Sequence, residues 1–170
     1  MKKNSGFTLI ELVLYVAIAS IVLGAFLTVY TSVYQLRQKN QAVSEVEQQG
    51  QQVMQQISQT LRNAAAVTSP ATGASSSALT LQTYSSGTNP TILSLSSGAV
   101  MDLEGTSSAV SLSSAKITVS SLSFQNLTRS GTHGIIKISF TVTSKNLTGR
   151  TENSFTKNFY NSAAVRGVYP

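Results

Sequence analysis

Hydrophobic residues fill the first part of the chain almost without interruption. Between Phe7 and Tyr30 the only charged residue is Glu11. A helix over this run of roughly 24 residues reaches about 36 Å, which is enough to cross the hydrocarbon core of a bilayer. The run therefore predicts a membrane-spanning helix over residues 7–34, and Tyr30 and Tyr34 suit its far membrane interface.

Beyond Tyr34 the apolar residues become periodic, recurring at intervals of three, four or seven positions. This is the stripe of an amphipathic helix, and glutamines occupy many positions between its members. The first proline is Pro70, and Gly24 and Gly50 are the expected soft points of the helix. We predict that the helix continues over residues 35–66 and packs on a globular domain. The residues of the stripe are Leu36, Val43, Val46, Val53, Ile57 and Leu61.

After the helix, short apolar runs alternate with turn residues. Residues 69–77 are rich in Ser, Pro and Gly and predict a linker. The clearest strand covers residues 136–142, and a change of apolar phase within residues 116–124 predicts a bulge near Ser120. We predict an α+β fold in which residues 67–170 form one meandering antiparallel sheet that packs on the second half of the helix. Further strands are expected at residues 78–84, 91–95, 99–103 and 109–112 and around Phe155 and Phe159, with hairpin turns at 131–134 and 146–149.

Composition and charge narrow the range of functions. The chain has 170 residues and no cysteine, so it has neither a disulfide framework nor a cysteine-based zinc site. Its formal net charge is +6, but the cations after the leader are scattered and no basic run follows the pattern of a phosphate backbone. Nucleic-acid binding is therefore allowed by the composition but not indicated by it.

Three interpretations compete for the N-terminal segment. Lys2 and Lys3 precede the apolar run, and the positive-inside rule places them in the cytoplasm. A secretory signal peptide would use the small residues at 17–19 and leave a chain that begins at Ser20. A plain membrane anchor would explain the length of the run. Neither accounts for Glu11, because an unpaired acid at the centre of a membrane helix costs about 2.5–3.5 kcal/mol on insertion scales.

The third interpretation comes from a resemblance. The sequence from Gly6 to Glu11, Gly-Phe-Thr-Leu-Ile-Glu, resembles the prepilin peptidase motif of the type IV pilin and type II secretion pseudopilin families. The resemblance implies that residues 1–6 are a leader cut off between Gly6 and Phe7, that the amino group of Phe7 is methylated, and that the apolar helix is retained. It also implies that Glu11 faces the Phe7 amino terminus of a neighbouring subunit and sets the register of assembly.

The resemblance further implies partners and a location. The partners are other prepilins or pseudopilins of the filament tip, the prepilin peptidase, the inner-membrane assembly platform and the cytoplasmic membrane. The chain would be a single-pass inner-membrane protein with its outer domain outside the cytoplasm, and later part of a pilus or pseudopilus.

Two departures from the major pilins point to a minor subunit. The membrane half lacks the helix-breaking proline that major pilins commonly carry, and the chain lacks the cysteines of their disulfide. The order of elements, with Val119, Leu122 and Phe124 before a long alternating strand, resembles the J-type minor pseudopilins and the W-type minor pilins. The expected function is a structural, non-enzymatic subunit that helps to initiate assembly at the filament tip. The alternatives are a minor subunit of a DNA-uptake pilus and a secreted or anchored β-domain unrelated to filaments.

The remaining chemistry is sparse, and we expect no cofactor, no metal and no catalytic residues. His133 lies between two glycines and suits a solvated turn. Asp102 and Glu104 are interpreted as two exposed acids, because with Glu152 they offer too few oxygens for the six to eight ligands of Ca²⁺. The glycosylation sequons at Asn126 and Asn146 are of a kind that arises by chance in chains rich in Ser and Thr.

Overall fold

A single long helix dominates the computed structural model, which describes residue 6, residues 8–129, residue 132, residues 134–145 and residues 154–166. Helix α1 runs without a break over Leu9–Asn63. Its 55 residues give an axis of about 82 Å. The predicted continuous helix is confirmed, but its predicted end at residue 66 is wrong. Ala64 is already extended (φ −74°, ψ 149°), and the next residues pair as a strand.

Within the described residues, nine strands follow and form two antiparallel sheets. The first sheet has the order β1-β3-β4-β5-β6 and the second has the order β2-β7-β8-β9. The strands are β1 (Ala66–Ser69), β2 (Ser75–Ser76), β3 (Leu79–Gln82), β4 (Thr91–Ser96), β5 (Ala99–Glu104), β6 (Val110–Ser111), β7 (Ile117–Asn126), β8 (Ile135–Ser144) and β9 (Thr156–Ala164).

The prediction of one meandering sheet is therefore wrong. The predicted linker, residues 69–77, carries the chain from β1 of the first sheet to β2 of the second. Ser75 and Ser76 pair with Gln125 and Phe124 of β7, so this short strand starts a second sheet instead of extending the first. The sheets meet where the turn between β4 and β5 touches β7, since the Gly98 carbonyl accepts a hydrogen bond of 2.8 Å from the Val119 amide.

The predicted bulge in β7 is confirmed. The register with β8 shifts between Ser120 and Ser123, and Ser121 has a φ of 53°. The extra residue changes which face each side chain occupies. Val119 on one side of the bulge and Leu122 on the other are therefore both buried, as the change of apolar phase required.

The second half of α1 packs on this β-domain. Its buried residues are Val46, Gly50, Val53, Met54, Ile57, Ser58 and Leu61. Four members of the predicted stripe are thus confirmed. Val43 is half-buried, and Leu36 is not confirmed because it is 60% exposed, so packing begins near Val43 instead of residue 35. The hydrophobic core joins these helix residues to apolar residues from both sheets, with Leu81 and Leu93 from the first and Ile138 and Phe140 from the second.

Gly50 is a packing position and not a soft point of the helix. The ring of Phe159, on β9, occupies the space that a Cβ at Gly50 would need. The same ring stacks on Phe140 with a centroid separation of 5.5 Å. The missing side chain of Gly50 lets the second sheet approach the helix closely.

Polar contacts hold the same faces together at their margins. Lys157 pairs with Glu47 at 2.6 Å, and Lys116 pairs with Glu45 at 3.2 Å. Further along β9, the Asn161 amide donates a hydrogen bond of 3.1 Å to the Ser58 hydroxyl. These contacts join the helix to the second sheet at the edges of the apolar core.

Candidate functional site

The first half of α1 is covered by no described part of the chain. Every large apolar side chain from Leu9 to Leu36 is exposed, from 45% at Val33 to 82% at Leu9. Soluble monomers rarely expose apolar patches of more than a few hundred Å². Among the described residues, α1 is the one helix long and apolar enough to cross a membrane. An exposed apolar surface of this size is typical of a helix that lies in a bilayer or packs against other apolar helices.

Polar side chains inside the apolar half form hydrogen bonds with their own helix. The Ser20 hydroxyl donates to the Val16 carbonyl at 2.7 Å, and the Thr28 hydroxyl donates to the Ala25 carbonyl at 2.7 Å. Thr31 and Ser32 both donate to the Thr28 carbonyl at 2.9 Å. Groups satisfied in this way do not oppose transfer of the helix into lipid.

The start of the helix is a capping box formed by Thr8 and Glu11. The Thr8 hydroxyl accepts from the Glu11 amide at 3.4 Å, and the Glu11 carboxylate accepts from the Thr8 amide at 3.0 Å and from the Thr8 hydroxyl at 2.8 Å. Glu11 therefore has a partner on its own chain, and it lies in the first turn, where the helix dipole favours an anion.

This contact changes the interpretation of Glu11. In the sequence analysis this carboxylate is treated as unpaired within its own chain. In the structure it accepts two hydrogen bonds from Thr8 and does not depend on a neighbouring subunit for them. The sequence reasoning missed Thr8, although the spacing Thr-x-x-Glu before an apolar run is a known signature of a helix start. Both bonds from Thr8 end on Oε2 of Glu11, so among the described contacts Oε1 is still open to a cation.

Gly6 lies exposed, two residues before the cap. A Cβ built on Gly6 meets no atom within 4 Å, so its backbone is accessible from outside. Phe7 lies outside the described residues. Cleavage between Gly6 and Phe7 and methylation of Phe7 are therefore still predictions.

The comparison with known families bears on this segment. Residues 1–27 match the family described as the prokaryotic N-terminal methylation motif. The chain carries this methylation motif. The match includes Gly6, Phe7 and Glu11 and most of the exposed half of α1, and it supports the type IV pilin and pseudopilin family. No curated protein and no solved structure matches the chain significantly.

The methylation motif and the fold together point to a structural subunit. A long apolar helix packed on antiparallel sheets is the pilin-like arrangement expected from the sequence. The motif fits a protein that is anchored in the inner membrane and associates with other pilins in a filament.

The two acids interpreted as exposed differ in their surroundings. Glu104 is exposed, but Asp102 is half-buried, and its Oδ1 is buried without a hydrogen-bond partner. Gln56 of α1 lines the same cleft and carries a second buried oxygen without a partner. Burial, and to a lesser extent repulsion by Glu104, raises the pKa of Asp102 above its usual value. In the described part of the chain, no three side chains of His, Cys, Asp or Glu are grouped as a metal site.

Of four further residues considered in the sequence analysis, the structure describes only Asn126. The Asn126 side chain is buried and donates a hydrogen bond of 2.9 Å to the Pro70 carbonyl, so this sequon has a structural role. His133, Asn146 and Glu152 lie outside the described residues.

Proposed function

We propose that this chain is a minor pilin or pseudopilin that helps to initiate assembly at the tip of a type IV pilus-like or type II secretion filament. The observation that carries the proposal is the exposed apolar half of α1 within a segment that matches the methylation motif. A surface of this kind can be covered first by lipid and later by the equivalent helices of other subunits.

The proposal begins with processing at the inner membrane. Prepilin peptidase cuts between Gly6 and Phe7, and the new amino group of Phe7 is methylated. The glycine suits the cut because a residue without a side chain leaves its backbone open to a tight active site. The apolar helix follows the cut and is retained, unlike the helix of a secretory signal peptide.

Glu11 then contributes to register in the filament. Its Oε1 pairs with the positively charged Phe7 amino group of a neighbouring subunit, while Oε2 keeps its bonds from Thr8. Opposite charges attract more strongly in the poor dielectric of packed apolar helices than in water. An axial offset that separates the Glu11 carboxylate from the neighbouring amino group leaves both charges unpaired. Other registers are disfavoured because an unpaired buried charge is costly.

The minor role rests on two sequence features. No proline interrupts the helix before residue 70, and α1 is continuous through its apolar half. The chain also has no cysteine. Both features depart from the pattern of major subunits and suit a subunit present in few copies at the tip.

Incorporation of Glu11→Gln into filaments tests the proposal. The amide oxygen of glutamine still accepts a hydrogen bond from Thr8, so the helix start is retained while the charge is removed. We expect normal insertion into the membrane, normal cleavage and a loss of incorporation, measured by immunogold labelling and by recovery from sheared filaments.

The matched control is Thr8→Ala, which weakens the cap and keeps the charge of Glu11. We expect this variant to be incorporated. Equal incorporation of Glu11→Gln and the unaltered chain would show that incorporation does not need the charge of Glu11. Absence of the unaltered chain from every filament of its host would overturn the proposed function itself.

A further inference from the structure

The structure brings together two cations that the sequence separates. Arg62 in the last turn of α1 and Arg166 just after β9 line one cleft. The cleft is open to solvent and has a volume of about 470 Å³. Four amide side chains complete most of its lining: Gln55, Gln59, Asn63 and Asn161.

Neither arginine is neutralised within the described part of the chain. Lys116 and Lys157 form ion pairs with Glu45 and Glu47, but no ion pair or side-chain hydrogen bond joins Arg62 or Arg166 to another described residue. None of the residues that line the cleft carries a carboxylate. Two like charges therefore share one concave surface, and an anion bound between them would lower their mutual repulsion.

The lining suits an oxyanion in its hydrogen-bond donors as well as in its charge. An arginine side chain presents donors in a planar fork that matches two oxygens of a carboxylate or phosphate group. The surrounding amides add further N–H donors. The hydrogen bond between Asn161 and Ser58 fixes one wall of the cleft against the helix.

Two observations favour a carboxylate over a phosphate. Arg62 lies about 48 Å along the helix axis from Tyr30, far beyond the reach of lipid headgroups at the predicted membrane interface. A nucleic-acid backbone needs a series of cations, whereas the described lining of the cleft contains only two, Arg62 and Arg166. The cleft offers two charges for one anionic group.

We propose that the cleft between Arg62 and Arg166 binds an acidic side chain of a neighbouring subunit. This inference rests on the proposed function, since a filament is what brings such a side chain to the end of α1. The contact would join outer domains, whereas Glu11 joins the helices near the membrane. It would be weakened by salt because both arginines are exposed.

The test is an NMR titration of the full chain in detergent micelles, observing the guanidinium signals. The probe is a short peptide with two glutamates between glycines, and its control peptide has glutamines instead. We expect saturable shifts of the Arg62 and Arg166 signals with the glutamate peptide at low salt and none with the glutamine peptide. The double variant R62Q/R166Q should lose the binding by at least tenfold.

A control variant, K137Q/K145Q, has the same net charge as R62Q/R166Q. K137Q/K145Q removes two exposed cations outside the cleft and should bind the glutamate peptide as the unaltered chain does. Equal binding by R62Q/R166Q and K137Q/K145Q would overturn the proposal. So would tighter binding of a single-stranded oligonucleotide with a steep salt dependence, since that result would assign the cleft to a phosphate backbone.

The titration is independent of filament formation. If the peptide does not bind but the chain is processed and incorporated, only the cleft proposal fails. If the peptide binds but the chain enters no filament, the site is retained and the proposed function fails.

Discussion

The two halves of α1 differ in what surrounds them, although they belong to one unbroken helix. From Leu9 to Leu36 the large apolar side chains point outward on all sides and are exposed. From Val46 to Leu61 the buried residues form one face, and polar residues occupy the other. The described part of the chain leaves the first half uncovered, whereas its own sheets cover one face of the second half.

This difference separates two causes of stability. A helix that is apolar all round belongs in a membrane or in the core of an assembly. An amphipathic helix is stabilised by packing of one face within its own domain. Substitutions in the first half should therefore change insertion and assembly, whereas substitutions in the second half should change the free energy of unfolding.

The largest expected effect is a loss of packing in the second half. Ile57 is fully buried, so Ile57→Ala should lower the free energy of unfolding of the outer domain by about 2–5 kcal/mol. Ile21 is 73% exposed, and Ile21→Ala should change this free energy of unfolding by less than about 0.5 kcal/mol. Denaturant unfolding of the full chain in micelles measures both. Similar losses would show that the two halves are not distinct.

Substitutions of the two helix glycines provide a second comparison of the two halves. Gly50→Ala places a Cβ against the Phe159 ring and should destabilise the outer domain by about 1–3 kcal/mol, despite the better helix propensity of alanine. Gly24 has open space around it, so Gly24→Ala should be neutral or should strengthen the helix. Adding Phe159→Leu to Gly50→Ala should restore part of the loss. If Gly50→Ala left the stability of the outer domain unchanged, the close contact between Gly50 and Phe159 would be wrong.

A smaller effect is expected where the first sheet meets the helix. The raised pKa of Asp102 means that the folded state favours the neutral carboxyl, so stability from this group is present at low pH and is lost as the pH rises through that pKa. Asp102→Asn should therefore be more stable than the unaltered chain at pH 7, and the difference should shrink towards pH 3. Thermal unfolding against pH measures this. Glu104→Gln, at an exposed position, is the control and should have less effect.

The smallest expected effect concerns the ion pair between Glu47 and Lys157. Both side chains are partly exposed, so the pair should contribute about 0.2–1 kcal/mol. A double-mutant cycle with Glu47→Gln and Lys157→Gln measures the coupling. The coupling should decrease as salt is added. A coupling that salt does not change would contradict this account of an exposed pair.

The sequence was most informative where the signal is local. The unbroken helix follows from apolar residues at helical spacing and from the absence of proline before Pro70. The bulge in β7 follows from a change of phase between Val119 and Leu122. Gly6, Phe7 and Glu11 lie within one short motif, and the cap by Thr8 could also have been predicted from its spacing to Glu11.

Features that depend on distant parts of the chain could not be predicted in the same way. The second sheet begins because Ser75 pairs with Gln125, and alternation along either segment does not indicate this pairing. The sequence predicts Gly50 as a flexible position in the helix, whereas its contact with the Phe159 ring makes it a packing position. Asp102 was interpreted as exposed because the acids are too few for a calcium site, but it lines a cleft with Gln56 of the helix, which the local sequence does not indicate.

We propose that the exposed half of α1 is retained after cleavage immediately before it. Mass spectrometry of the chain isolated from membranes or filaments of a host with prepilin peptidase tests this proposal. We expect a chain that begins at Phe7 and carries the mass of one added methyl group on its N-terminal residue. A chain that begins at Ser20, or one that still carries its first six residues, would refute the proposal.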